Sequence, residues 1–234
     1  MYSNTGGHEN EAVGWRALTN NTTGHDNAGF GYYCLSSNQT GNYNTALGNN
    51  SNTVGVSYSN TTGIGFGANP TASNTIYIGN TSVTSIKGQV GFTTYSDARF
   101  KKNIRLDEVK GVDIITKLTP VTYNYDIKSY AKWIEANYGE IDTSNWAEKY
   151  DIEKIRFSGF LAQDVEHVAN EVGYNFSGVD KPKNDKDIYG LRYGEFVVPL
   201  VKAVQEQQAI IEQMKQQIQE QQKEIEDLKE KVGE

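Results

Sequence analysis

Ser96 and Lys101 stand five residues apart in the stretch Tyr95-Ser96-Asp97-Ala98-Arg99-Phe100-Lys101-Lys102-Asn103-Ile104. A serine hydroxyl with a lysine amine as its base can carry nucleophilic chemistry if the fold brings the two together. The same residues also have a plain structural reading, in which Ser96-Asp97 caps the start of a helix. On one continuous helix, five residues rotate a side chain by about 140 degrees, so the pair would diverge. A meeting therefore requires Ser96 on an extended or turning stretch and Lys101 in the first turn of the next element. The chain must bend here. Asp97 suits a cap for that turn, Asn103 suits local capping or an oxyanion donor, and Arg99 and Lys102 are cations close to Lys101.

This pair also marks a border in composition. Before it lie glycine, asparagine and threonine, with Glu9, Glu11 and Asp26 the only carboxylates; after it come lysine, glutamate and ordinary apolar patterning. The apolar fraction of 37% falls below the usual range of about 45 to 50%, so part of the chain folds without a conventional core. A net charge of -7 offers no basic face to nucleic acid. Cys34 is the single cysteine, and His8, His25 and His167 are dispersed, so neither an intrachain disulfide nor a metal site is expected, and no cofactor motif is present. No run reaches the roughly 18 apolar residues of a membrane span, and the first residues lack a signal-peptide pattern, so a soluble chain is expected. Because it opens inside a repeat, it reads as a piece of something longer.

The border must be positioned by its flanks, beginning with that repeat. Gly7, Gly24 and Gly41 are spaced by 17, as are Asn10, Asn27 and Asn44, then Val13, Phe30 and Leu47, then Gly14, Gly31 and Gly48; Ile64-Gly65 continues the series. A period this short excludes helical hairpins, which asparagine and glycine would break in any case. A short strand with a tight turn fits, one apolar knob per unit. A single unit buries too little to offset its ordering, so units must stack, and chains must associate. Residues 1–95 thus predict a β-solenoid or intertwined β-shaft. Thr75 to Gly79 and Ser82 to Phe92 alternate as strands that end it.

Beyond the border, Val109, Val112, Ile115 and Leu118 recur at helical spacing before Pro120, and Val121 to Tyr125 alternates as a strand. Tyr130, Trp133, Ile134, Trp146 and Tyr150 mark one or two inserted helices. Arg156 to Leu161 predicts a strand, and Ala162 to Asn170 a helix with Val165 and Val168 or Ala169 inward. Phe196 opens a long helix with seam residues Leu200, Val204, Gln207, Ile211, Met214, Ile218, Gln221, Ile225, Leu228 and Val232 in steps of four and three. This heptad predicts a coiled coil over 196–234. Its β-branched a positions favour dimers, but only two of five d positions are leucine, so the shaft decides for a trimer; the stripe could instead pack along the shaft.

Read together, Ser96 to Ile104, then Leu118-Thr119-Pro120-Val121-Thr122-Tyr123-Asn124, then Gly159-Phe160-Leu161-Ala162-Gln163-Asp164-Val165-Glu166 resemble the endosialidase-type intramolecular chaperone domain that ends many phage tail spikes and fibres. The shaft repeats resemble those of trimeric adhesin heads and tail-fibre shafts, which implies a parallel homotrimer. The first resemblance implies a compact α+β domain over 96–195 that trimerises, assists folding of the shaft before it, and then cuts itself free. It implies Ser96 as nucleophile, Lys101 as base and Tyr95-Ser96 as the scissile bond; Asp97, Arg99 and Asn103 are candidates for support on residue type and proximity alone, with capping the plainer role for Asp97 and Asn103. Lys101 must be neutral to take the proton, which burial in a trimer favours. The implied location is the virion tail after assembly in the host cytoplasm, with the freed chaperone soluble. A rival reading is a structural or adhesive trimer whose repeats bind a cell-surface glycan.

Overall fold

Seventeen residues close one coil of a solenoid, and asparagine amides hold successive coils together. In the computed structural model, which describes residues 2–53, 55–138 and 148–233, the strands β1 (Glu11–Val13), β2 (Ala28–Phe30), β3 (Thr45–Leu47), β4 (Thr62–Ile64) and β5 (Ile76–Ile78) pair in order as one parallel ladder. Glu11 lies opposite Ala28, Ala28 opposite Thr45 and Thr45 opposite Thr62; the last step, Thr62 to Ile76, is shorter by three residues. After the ladder come α1 (Val112–Ile115), β6 (Val121–Tyr123), α2 (Ile127–Tyr138), β7 (Phe157–Gly159), α3 (Ala162–Glu171), β8 (Val179–Asp180), β9 (Gly190–Leu191) and α4 (Val197–Val232). The chain is therefore an N-terminal β-solenoid, a mixed α+β middle region and a long C-terminal helix.

The solenoid core is polar as well as apolar. The Asn10 carbonyl accepts from the backbone N–H of Asn27 at 3.1 Å, Asn27 from Asn44 at 3.0 Å and Asn44 from Thr61 at 3.1 Å. Their amide groups donate to the carbonyls of Gly24, Gly41 and Tyr58 at 2.7 to 2.9 Å. A second column links Asn38 to Asn21 at 2.9 Å. Each amide thus supplies the hydrogen bonds that the turning backbone cannot make in a strand. Glycine is required at Gly14, Gly31 and Gly48, where φ lies between 130° and 143° and a Cβ would meet the next coil's carbonyl oxygen at 2.4 to 2.6 Å.

The recurring apolar residue does not form this core. Val13, Phe30, Leu47 and Ile64 face solvent, whereas Leu18, Leu35, Ala17, Cys34 and Ala46 are buried. Strand alternation turns the flanking positions outward and the middle one inward, and the inward position is cramped. At Gly29 a Cβ would already stand 3.0 Å from the Cys34 sulfur. Burial pushes the Cys34 thiol up to about 11, so it serves as a core residue.

The expected strands from Ser82 to Phe92 are also absent. From Val83 to Arg105 the chain is exposed and, apart from one 3₁₀ turn at Ala98–Phe100, irregular, because a short strand gains little without a partner. Asp151–Lys154 adds a 3₁₀ turn after the insertion, and Trp146 lies outside the described residues.

The chain divides into two compact units. One joins Met1–Gly91 with Thr122–Ser158 and Pro182–Ile188; the other comprises Phe92–Val121, Gly159–Lys181 and Tyr189–Glu234. In the first, β6 and β7 pair, and Tyr123, Tyr125 and Phe157 cluster their rings. In the second, Ile114, Val165, Ala169, Phe176, Val179 and Phe196 form the apolar core; Val165 is inward as the sequence predicts, and of the alternatives Val168 and Ala169 it is Ala169 that is buried. Glu206 of α4 accepts from the Val112 N–H at 2.8 Å, which satisfies the exposed start of α1. Only the first turns of α4 are packed, at Pro199 and Ala203; from Val204 onward its seam residues are exposed. Among the described residues no helix is long and apolar enough to cross a membrane.

Replacing Asn44 with alanine strands the Thr61 N–H and the Tyr58 carbonyl without their partner. We expect a loss of about 2 to 4 kcal/mol. Asn49→Ala, which removes an exposed acceptor for the Tyr32 N–H, is expected to cost under about 1 kcal/mol. Chemical denaturation of the two variants followed by circular dichroism checks the difference.

Candidate active site

The bend required at Ser96 is a single 3₁₀ turn. Asp97 is extended (φ -71°, ψ 125°), Ala98–Phe100 form the turn, and Lys101 leaves it extended again, its N–H bonded to the Ala98 carbonyl. Lys101 therefore stands just after the turn rather than inside it. The turn folds the chain enough for the Lys101 ammonium to donate to the Ser96 hydroxyl at 2.8 Å. Because Asp97 and Lys101 are extended on either side of the short turn, the chain folds back on itself and brings together what one continuous helix would separate.

Asp97 has the capping role its type predicts. Its carboxylate accepts from the Arg99 N–H at 2.9 Å and from the Arg99 guanidinium at 2.6 to 3.1 Å. The bond from the Arg99 guanidinium, then that from its backbone, holds the Asp97 carboxyl below the usual value of 3.8. Arg99 spends its charge on this pair, with its guanidinium also 5.6 Å from the Phe100 ring. Asn103 takes the left-handed conformation at φ 53°, which fits a local turn residue. Ser96, Lys101 and their neighbours are all exposed, and Tyr95 is fully so.

Residues 96–174 match the family model described as "Chaperone of endosialidase". The match begins at Ser96 itself and covers about a third of the chain. It is partial, and it is consistent with a tail-related chaperone of this peptidase family. Comparison with curated proteins and with solved structures finds no match.

Two further stretches of the resemblance meet in space. Leu118 and Thr119 line a cavity of about 210 Å³ together with Phe160, Asp164 and Val165. Glu166 serves elsewhere: it pairs with Lys181 at 2.5 Å and accepts from the Tyr189 hydroxyl at 2.7 Å. These bonds, Lys181 first, hold its carboxyl below the usual value. Its residue type gives no hint of those partners, which lie in a later loop. Among the described residues no three His, Cys, Asp or Glu side chains gather as metal ligands; His8 and His25 stack on neighbouring coils.

Because the Asp97 carboxyl is lowered in the folded chain, its cap is complete above the ordinary value of 3.8 and is lost as pH falls through the lower folded value. Carbon NMR titration of the Asp97 carboxyl is expected to report that lowered value in the wild type. In Arg99→Ala it should move back up towards 3.8. An unmoved value would mean that Arg99 does not hold the carboxylate.

Proposed function

We propose that residues 96–234 act as a trimerising intramolecular chaperone for the shaft before them, in the tail fibre or spike of a phage, and cut the chain once at Tyr95-Ser96. The observation that carries this reading is the 2.8 Å contact between Lys101 and Ser96 at the first residue of the family match.

The Ser96 hydroxyl attacks the Tyr95 carbonyl carbon while the neutral Lys101 amine accepts the hydroxyl proton. The amide nitrogen leaves with that proton as the new α-amino group of Ser96, and an ester joins Tyr95 to Ser96 Oγ. Water then hydrolyses the ester to the Tyr95 carboxylate and the free hydroxyl. Atoms balance with no cofactor. The general base contributes a factor on the order of 10² to 10⁴.

Trimerisation is supported by apolar surface that a single chain leaves in water. Ile211, Met214, Ile218, Ile225 and Leu228 expose the heptad seam, and Val90, Phe92, Phe100, Ile104 and Leu106 are exposed around the reacting bond. Apolar surface of this extent marks a place for partners. Closing three copies over it would also bury the Ser96–Lys101 pair, which favours the neutral amine and ties the cut to completed assembly.

Intact mass and N-terminal sequencing over time test the reaction. The expected product begins at Ser96, is absent in Ser96→Ala, and forms on the order of 10² to 10⁴ times more slowly in Lys101→Ala. A wild-type trimer that stays whole would remove the self-cleavage reading.

A further inference from the structure

The unit that holds the solenoid is built from both sides of the Tyr95-Ser96 bond. Residues up to Gly91 come from before it, and Thr122–Ser158 and Pro182–Ile188 come from after it. The joint is specific. Asp187 accepts from the Thr71 hydroxyl at 2.7 Å, and Asn184 donates to the Thr71 carbonyl at 3.2 Å. The Thr71 hydroxyl also meets the Tyr77 hydroxyl of β5 at 2.9 Å. Thr71 is fully buried, beside buried Ala68, Pro70 and Ala72, so the loop seals the last coil. Further along, the Ser82 hydroxyl donates to the Lys149 carbonyl at 2.8 Å.

The helix α2 lies on the same end. Ile127, Tyr130 and Ile134 face Tyr77, Ile78 and Gly79 across a cavity of about 700 Å³. Burial, then the nearby Tyr77 and Asp187, push the Tyr130 phenol up to about 12, and burial and Asp187 raise that of Tyr58. The loop is itself braced, because the Lys183 N–H donates to Asp187 at 2.9 Å and the Lys186 ammonium donates to the Asn137 carbonyl at the end of α2 at 2.8 Å.

We propose that α2 and the Pro182–Ile188 loop form a non-covalent cap that keeps the C-terminal product on the shaft after the chain is cut at Tyr95-Ser96. The product of the reaction is then a nicked, capped shaft rather than a free chaperone. The cut itself rests on the function proposed above; the cap does not. A parallel ladder ends in a row of unpaired backbone groups, and a solenoid end needs a cover with its own polar face. The cover here is held by a charged acceptor on a buried hydroxyl, a stronger contact than a neutral pair. Cutting an exposed linker removes none of these contacts and changes only the effective concentration of the two pieces.

Two samples separate the cap from the cut. In the first, the full chain carries Ser96→Ala and a recognition sequence for an added site-specific protease between Thr94 and Tyr95, within the exposed stretch. After digestion, a denaturing gel must show two pieces, and size-exclusion with light scattering at micromolar concentration is expected to show them co-eluting. Separate elution would overturn the cap, whether or not the natural cut occurs. The second sample is the wild type: two bands on the gel and one native peak support both readings, and two native peaks overturn the cap alone. A wild-type chain that remains whole overturns the self-cleavage reading and leaves the digested sample to decide the cap. Asp187→Ala in the digested sample should weaken the pieces' affinity about tenfold or more, and Asp187→Asn, which can still accept from Thr71, should weaken it less. Equal affinity in all three would show that Asp187 does not hold the cap.

Discussion

A parallel solenoid cannot end itself. Each inner rung finds its hydrogen-bonding partners on both sides, but the last one leaves a row of N–H and C=O groups open and a core without a lid. In this chain β5 is the last strand of the ladder; the Thr71 hydroxyl donates to Asp187 of the Pro182–Ile188 loop, and Tyr77 and Gly79 line a cavity with residues of α2. Under the cap proposed above, α2 and the Pro182–Ile188 loop take the place where the ladder stops.

The body of the solenoid solves a related problem by different means. A coil with three-residue strands spends most of its backbone turning, and turning backbone has no regular partner. Asn10, Asn27 and Asn44 carry both a donor and an acceptor and link one coil to the next through them. Buried amides are tolerated because each is paired, so the core needs few large apolar side chains. The apolar ones that recur, Val13, Phe30, Leu47 and Ile64, are left outside as a stripe, in keeping with the exposed seam of α4. Both leave apolar surface that further copies of the chain could cover.

Much of this was legible in the sequence because it is periodic or local. The 17-residue repeat gives the parallel register directly, the heptad gives the long helix, and the inward Val165 comes from helical spacing. Five residues between Ser96 and Lys101 require a bend, and a 3₁₀ turn provides one. Other features depend on contacts that leave no trace in local pattern. Whether Val13 or Leu18 enters the core is decided by left-handed turn residues and by how little room Gly29 has beside Cys34. Asp187 and Thr71 lie 116 residues apart, and nothing in either residue type points to the other. The alternation from Ser82 to Phe92 reads as strand, yet alternation without a pairing partner yields exposed, irregular chain.

If segments after the border complete the end of the shaft, the last coils must depend on them for their stability. Amide hydrogen exchange across Thr62–Ile78, compared between the full chain and residues 1–95 alone, measures that most directly. The shaft alone is predicted to lose protection in β4 and β5 while β1 and β2 keep more of theirs. Equal protection of β4 and β5 in the two samples would contradict it, since the ladder would then be ending without its cover.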